Sequence, residues 1–262
     1  MRISLIGAGR VANHLAKALV DAGHHIIQVY SHHQNSAEYL ARKVNAIVAY
    51  NYQDLDPNID FIIIAVTDAA IPEVAYALST LELKACILHT SGSTHLNVLT
   101  EYFPRAGVLY PLQTFSLEKQ VDWKEIPLLI ETAHHHDLES LEEMAKTLSS
   151  NIHIYNSEQR LSLHLAAVFA CNFSNYCYDI AQQIVAQEKV DFSLLSPLIL
   201  ETAKKATQFI PSKVQTGPAL RQDDTILSLH KDLMAQKNQK DFLEVYQVLS
   251  NQIKTRHKKP DI

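Results

Sequence analysis

The stretch Gly7-Ala8-Gly9-Arg10-Val11-Ala12 limits what this chain can fold into more than any other. Before it, Arg2–Ile6 is an apolar run with β-branched residues, too short for a helix, and reads as a buried strand. After it, Asn13–Leu19 repeats apolar residues at helical spacing. Strand, glycine turn and helix in that order are the setting in which a G-x-G-x-x-G/A pattern marks a dinucleotide site. Gly7 allows the tight turn, and Gly9 lets the backbone approach a pyrophosphate. Ala12 is small enough for the helix to pack on the strand. The helix start at Arg10 and Val11 offers amides and the positive end of the helix dipole to the phosphates.

The first half of the chain goes on alternating strands and helices. A strand is predicted at Ile26–Tyr30, a helix over Ser36–Val44 and a short strand at Ala46–Tyr50. Asp60–Val66 is the clearest buried strand. Thr67-Asp68 ends it, and a helix begins near Ile71-Pro72, where proline suits the first turn. Ala85–His89 and Ala106–Leu109 follow as strands, closed by Thr90-Ser91-Gly92-Ser93 and by Tyr110–Phe115. Leu128–Glu131, a helix at Asp137–Leu148 and Asn151–Tyr155 add a β-α-β piece. Such alternation predicts an α/β fold of Rossmann type, a mainly parallel, doubly wound sheet.

From Ser157 the strand pattern stops. Ser157–Glu188 reads as one long helix, apolar nearly all round over Leu163–Tyr178 and so expected to be buried on most sides. Helices at Leu194–Phe209, Asp223–Ala235 and Asp241–Lys254 follow, an all-α domain. The chain therefore divides near Asn156, into a dinucleotide-binding domain at 1–156 and a helical substrate or dimerisation domain at 157–262. The long apolar helix predicts a homodimer. The basic tail Arg256-His257-Lys258-Lys259 is expected to be solvated and disordered.

Composition narrows the function. A net charge of −5 argues against nucleic-acid partners, and no apolar run reaches the ~18 residues of a membrane span. The N-terminal apolar run breaks at Gly7, so no cleavable signal is expected. Cys86, Cys171 and Cys177 make no metal-type pair, and they read as buried small hydrophobes in a cytoplasmic protein. His134-His135-His136 reads as a solvated loop, and no metal site is expected.

Ligands of doubly wound sheets bind at the carboxyl ends of the strands. Ala65, Val66, Thr67, Asp68, His89, Thr90, Ser91, Gly92, Ser93 and Gln113 are gathered there as candidates, although Asp68, Ser91 and Ser93 serve equally well as helix caps. After the second strand, an NAD-binding fold carries an acidic residue for the ribose. Here Tyr30-Ser31-His32-His33 stands instead. A hydroxyl with imidazoles, and Arg10 nearby, suits a 2′-phosphate, so NADP is expected over NAD.

The glycine turn, His89–Ser93, Pro111–Phe115, His164–Asn172 and Gly217–Asp223 together resemble a family of NADP oxidoreductases. In that family a domain similar to pyrroline-5-carboxylate reductase and deazaflavin-dependent NADP reductases precedes a helical domain of unassigned function. That helical domain is distantly similar to the C-terminal domain of 6-phosphogluconate dehydrogenase. In the family a basic residue commonly follows the serine after strand two, where this chain has His32. A histidine often stands where this chain has Tyr110, and its absence removes a possible second proton carrier.

The resemblance implies hydride transfer between a nicotinamide and a small carbonyl or imine. It also implies a catalytic set of His164 as acid/base, Asn172 as its hydrogen-bonding orienter, and Ser91 at the nicotinamide end. His164 and Asn172 are eight residues apart, about 80° around an ideal helix. A purely structural His–Asn pair is the competing reading. Arg221 and Asp223, with Gln113, are expected to bind substrate, or else Arg221 and Asp223 form an ion pair between domains. The alternative function is a non-catalytic NAD(P)-binding sensor or dimerisation module.

Overall fold

The computed structural model describes residues 1–116 and 121–258. It opens β1 (Arg2–Ile6), α1 (Arg10–Asp21), β2 (His25–Tyr30), α2 (Gln34–Val44) and β3 (Ile47–Ala49). Next come β4 (Phe61–Ile64), α3 (Ile71–Leu78), β5 (Cys86–His89), the short α4 (Asn97–Thr100) and β6 (Ala106–Pro111). The series ends with β7 (Leu128–Thr132), α5 (His135–Leu148) and β8 (Ile152–Ile154). The eight strands form one sheet in the order β3-β2-β1-β4-β5-β6-β7-β8. Neighbours run parallel except β6 and β7, which pair antiparallel with Tyr110 opposite Leu129. The chain thus reverses strand order at β1–β4, the switch point where such sheets open a crevice.

Side-chain alternation along each strand feeds two cores. Ile3, Leu5, Ile63 and Leu88 face one way and are covered by α1, α2 and α5 through Leu15, Leu40 and Met144. Ile6, Ile62, Ile64, Ile87 and Val108 face the other, under Val74 and Leu78 of α3 and Leu99 of α4. Each such buried aliphatic side chain contributes about 1.5–3 kcal/mol.

The chain divides into two compact units, Met1–Ala170 and Cys171–Ile262. α6 (Ser157–Ala167) continues through a π-helical stretch, Val168–Phe173, into α7 (Ser174–Gln187). The expected single helix is therefore continuous but interrupted in winding, and the contact division falls inside it rather than at Asn156. α8 (Ser196–Gln208), α9 (Pro218–Arg221), α10 (Asp224–Gln236) and α11 (Lys240–Arg256) complete the helical unit.

Several expectations are corrected. Leu163–Tyr178 is not buried in the single chain: Leu165 and Phe169 are more than half exposed, and Cys171 and Cys177 are exposed, with only Cys86 buried. An apolar circumference predicts burial only where the chain supplies enough covering surface. His134 stands at the N-cap of α5, and His135 and His136 form its exposed first turn rather than a loop. Arg256 is the last residue of α11 and not part of a disordered tail; Lys259 lies outside the described residues. Among the described residues no cluster of histidine, cysteine or carboxylate side chains is arranged to hold a metal, and no helix is long and apolar enough to cross a membrane.

Candidate active site

The glycine turn is built as its sequence requires. Gly7 has φ +110°, and a Cβ there would lie 2.3 Å from the carbonyl oxygen of Ala65. Both the backbone and the neighbouring strand therefore demand glycine. The turn is tied down by the Gly7 amide donating to the Tyr30 carbonyl (2.8 Å) and by Asn13, whose Nδ2 donates to the Ala8 and Gly9 carbonyls (2.9 and 3.0 Å). Next to it α1 starts with no side-chain cap and no acidic residue in its first turn. Its leading amides and dipole are thus available to an anion. A Cβ at Gly9 would meet no protein atom within 4 Å, so open space lies beside the backbone where a pyrophosphate is needed.

A pocket of about 450 Å³ opens there. Gly7, Ala8, Gly9, Arg10 and Val11 form its floor, Ala65, Val66 and Thr67 one wall, and Tyr30, Ser31, His32 and His33 another, with Tyr52 and Glu73 at the margin. Ala12 is fully buried behind the turn. Tyr30 and Tyr52 are in ring contact, centroids 4.4 Å apart. Burial, then the Tyr30 neighbour, drives the Tyr52 phenol well above its ordinary range. The end of β2 carries hydroxyl and imidazole groups and no carboxylate. That donor set fits a nucleotide whose ribose bears a phosphate.

A second constellation sits at the ends of β5 and β6. His89 is fully buried; its Nδ1 accepts from the Ser91 amide at 3.2 Å. Desolvation, and then the Arg160 charge, lower its pKa to about 3, so the ring is neutral. Ser91 Oγ accepts from the Ser93 and Thr94 amides at 3.1 and 2.9 Å, and Ser93 Oγ donates to Asp68 at 2.5 Å. Ser91 and Asp68 thus act within the turn itself. Thr90, also buried, hydrogen-bonds the Ile64 carbonyl through its amide at 3.2 Å.

Over this turn meet Tyr110, at the end of β6, and His164, in α6. Tyr110 Oη lies 3.0 Å from His164 Nδ1. A Cβ at Gly92 would stand 2.6 Å from that same nitrogen and 2.7 Å from Tyr110 Cζ. Only glycine leaves room for the pair. Burial pushes the Tyr110 phenol up to about 12, with the Asp68 carboxylate adding to the shift. The position that a histidine often occupies in the family thus carries a phenolic hydroxyl here.

What holds α6 in place is a buried ion pair. Arg160, 1% exposed, pairs with Glu131 of β7 and donates to the Thr94 carbonyl at 2.6 Å. Ser157 Oγ donates to Glu131 at 2.9 Å and accepts from the Leu96 amide at 3.0 Å. One helical turn beyond Arg160 is His164, so this cluster fixes its height over Gly92.

The predicted site residues separate accordingly. The glycine-turn residues, Tyr30–His32 and Ala65–Thr67 share one pocket; Asp68, His89–Gly92 and His164 share the neighbouring turn. Gln113 lies elsewhere, in a different hollow with Thr114, and its Oε1 accepts from the Thr114 amide at 2.8 Å. Asn172 is exposed in the π-helical stretch of the second unit, where ideal-helix angles do not apply. Arg221 ends α9, exposed. Asp223 is the N-cap of α10, accepting from the Ile226 amide at 3.2 Å. Asn13, Tyr52, Glu131 and Arg160 were missed, and Tyr110 was named only as lacking a histidine's proton. Of these, only Tyr110 carried a local signal, at the end of a strand.

Residues 2–89 match the model of the family described as NADP oxidoreductase, coenzyme F420-dependent, and residues 126–253 match a domain of unknown function. A solved structure of a candidate NADP oxidoreductase from Bacteroides fragilis is 39% identical. The match covers 97% of this chain and 98% of that one, with a TM-score of 0.89. An imine reductase from Myxococcus stipitatus, solved with NADP+, is 16% identical over 100% of this chain and 97% of its own, TM-score 0.71. A pyrroline-5-carboxylate reductase from Coxiella burnetii is 15% identical over 98% of each chain, TM-score 0.59. These last two share the fold. No curated protein matches.

Proposed function

Because the chain belongs to the NADP oxidoreductase family that includes the Bacteroides fragilis protein, we propose that it binds NADP along the carboxyl edge of β1, β2, β4 and β5. There it interconverts a small carbonyl or imine compound with its reduced form, His164 carrying the proton. NADP, when bound, supplies or takes up the hydride. The protein's share is positioning and proton handling. Gly7–Val11 and the start of α1 would hold the pyrophosphate. Ser31, His32 and Arg10 would receive the 2′-phosphate, and Ser91 and Gly92 would border the nicotinamide.

The observation that carries this reading is the His164–Tyr110 contact over Gly92, a proton-bearing pair over the turn that follows β5, two strands along the sheet from β1 and its glycine turn. Among the other candidates, Asn172, Arg221, Asp223 and Gln113 enter as substitutions to be tested for orientation and substrate binding. The helical unit is read as the homodimerisation surface, supported by its bare leucines.

The test is a screen of keto acids, aldehydes and cyclic imines, followed by loss of reduced-nicotinamide absorbance. Turnover is expected with at least one class. His164→Ala is expected to lower kcat about 10²–10⁴-fold with NADP affinity unchanged. Tight NADP binding without turnover across the panel would overturn the enzymatic reading and leave a nucleotide sensor.

A further inference from the structure

Resting on the reductase reading above, we infer that Tyr110 is a second catalytic residue: its hydroxyl hands the proton to the substrate, and His164 resupplies it. Four observations lead there. The ring nitrogen of His164 that faces the Ser91–Gly92 turn is Nδ1, and it is already engaged by Tyr110 Oη at 3.0 Å. On this side of the imidazole, the proton free to meet a ligand is therefore the phenolic one. Tyr110 also packs on the same core as Val66, Tyr30 and Tyr52, whose side chains wall the nucleotide pocket. It is only half-buried, and it stands on a strand rather than a mobile loop. Finally, burial keeps the phenol protonated across the physiological range, so it arrives as a donor.

The proton inventory closes. With a reduced nicotinamide as the two-electron source, the π pair of the substrate C=O or C=N moves onto the heteroatom as carbon accepts hydride. The heteroatom then forms a bond to the Tyr110 proton while the Tyr110 O–H bond breaks. The phenolate oxygen takes the proton from His164 Nδ1, and His164 Nε2 takes one from hydronium. One solvent proton enters the product and Tyr110 is restored; His164 is left as the Nε2–H tautomer, and exchange with water, one proton leaving Nε2 as another is taken up at Nδ1, returns it to its starting form. This sequence requires His164 to rest as the Nδ1–H tautomer, donating to Tyr110 Oη. The opposite tautomer would consume the phenolic proton inside the pair.

Two measurements test it. Nitrogen NMR of protein labelled in its histidine rings, assigned with His164→Gln, reads the tautomer with no substrate present. A protonated Nδ1 that loses its hydrogen-bonded shift in Tyr110→Phe is expected; an unprotonated Nδ1 in the wild type overturns the inference. In the turnover assay, Tyr110→Phe is expected to lower kcat by about 10²-fold or more, with KM and NADP affinity within a few-fold. Retention of kcat within threefold would also overturn it. A wild type without turnover refutes the reductase reading, whereas the tautomer judges the Tyr110 assignment separately.

Discussion

The two units of the chain are folded by different means. Met1–Ala170 buries most of its large aliphatic side chains between a sheet and two layers of helices, leaving Ile47, Ile154, Leu161 and Leu165 exposed. In Cys171–Ile262 the described hydrophobic residues that are buried are Ala219, Leu227 and Met234. Leu194, Leu198, Leu200, Leu229 and Val248 are each 60% or more exposed. A sheet collects apolar residues from distant segments and can close a core by itself. Amphipathic helices of a small unit need something laid against them. The sheet half thus closes its cores within one chain, whereas the helical half leaves apolar surface for which a second copy is the proposed cover.

The largest effect should come from the helical half. Leu194→Asp with Leu198→Asp is expected to turn a dimer into a monomer at about 10 µM in light scattering and to make unfolding of that half independent of protein concentration. A wild type already monomeric there would break the comparison. A core truncation in the other half, Ile63→Ala, should cost about 2–5 kcal/mol in denaturant unfolding at every protein concentration. Its effect would vary with concentration only if the sheet too depended on a partner.

A smaller effect separates the halves by pH. His89 is buried in the first unit with its pKa lowered to about 3, chiefly by desolvation, against about 6.5 for an exposed imidazole. Between those values the unfolded chain binds a proton that the folded chain refuses. Stability is therefore full above about pH 6.5 and falls as pH drops towards 3, by up to a few kcal/mol. His89→Gln should flatten that slope in thermal melts; an unchanged slope would place the acid sensitivity elsewhere. The second unit's displaced carboxylates, Asp191 and Asp224, are exposed and contribute little.

Much of the first unit was legible because its signals are local. Asp60–Val66 was readable as a buried strand from its Ile62-Ile63-Ile64 run, and Gly7–Ala12 set turn, helix start and pocket together. The boundaries shifted by a residue or two, as strand ends do. The candidate site was legible where it follows strand ends, at Ala65–Asp68 and His89–Gly92. Its decisive contacts were not, since Tyr110 meets His164 and Arg160 meets Glu131 across long stretches of chain that no periodicity reports. The π-helical winding at Val168–Phe173 was equally silent, because it changes a hydrogen-bond pattern and not the order of apolar residues. Leu163–Tyr178 was read correctly as apolar and wrongly as covered. Sequence shows that a surface wants a partner, not whether the same chain provides it.

The proposal places phosphates on the amides opening α1, with the 2′-phosphate at Ser31–His32. Titration calorimetry of the wild-type protein tests it directly. NADP is expected to bind in about the micromolar range and NAD at least about tenfold more weakly, near 1.4 kcal/mol of discrimination. Absence of binding by both nucleotides at millimolar concentration would contradict it.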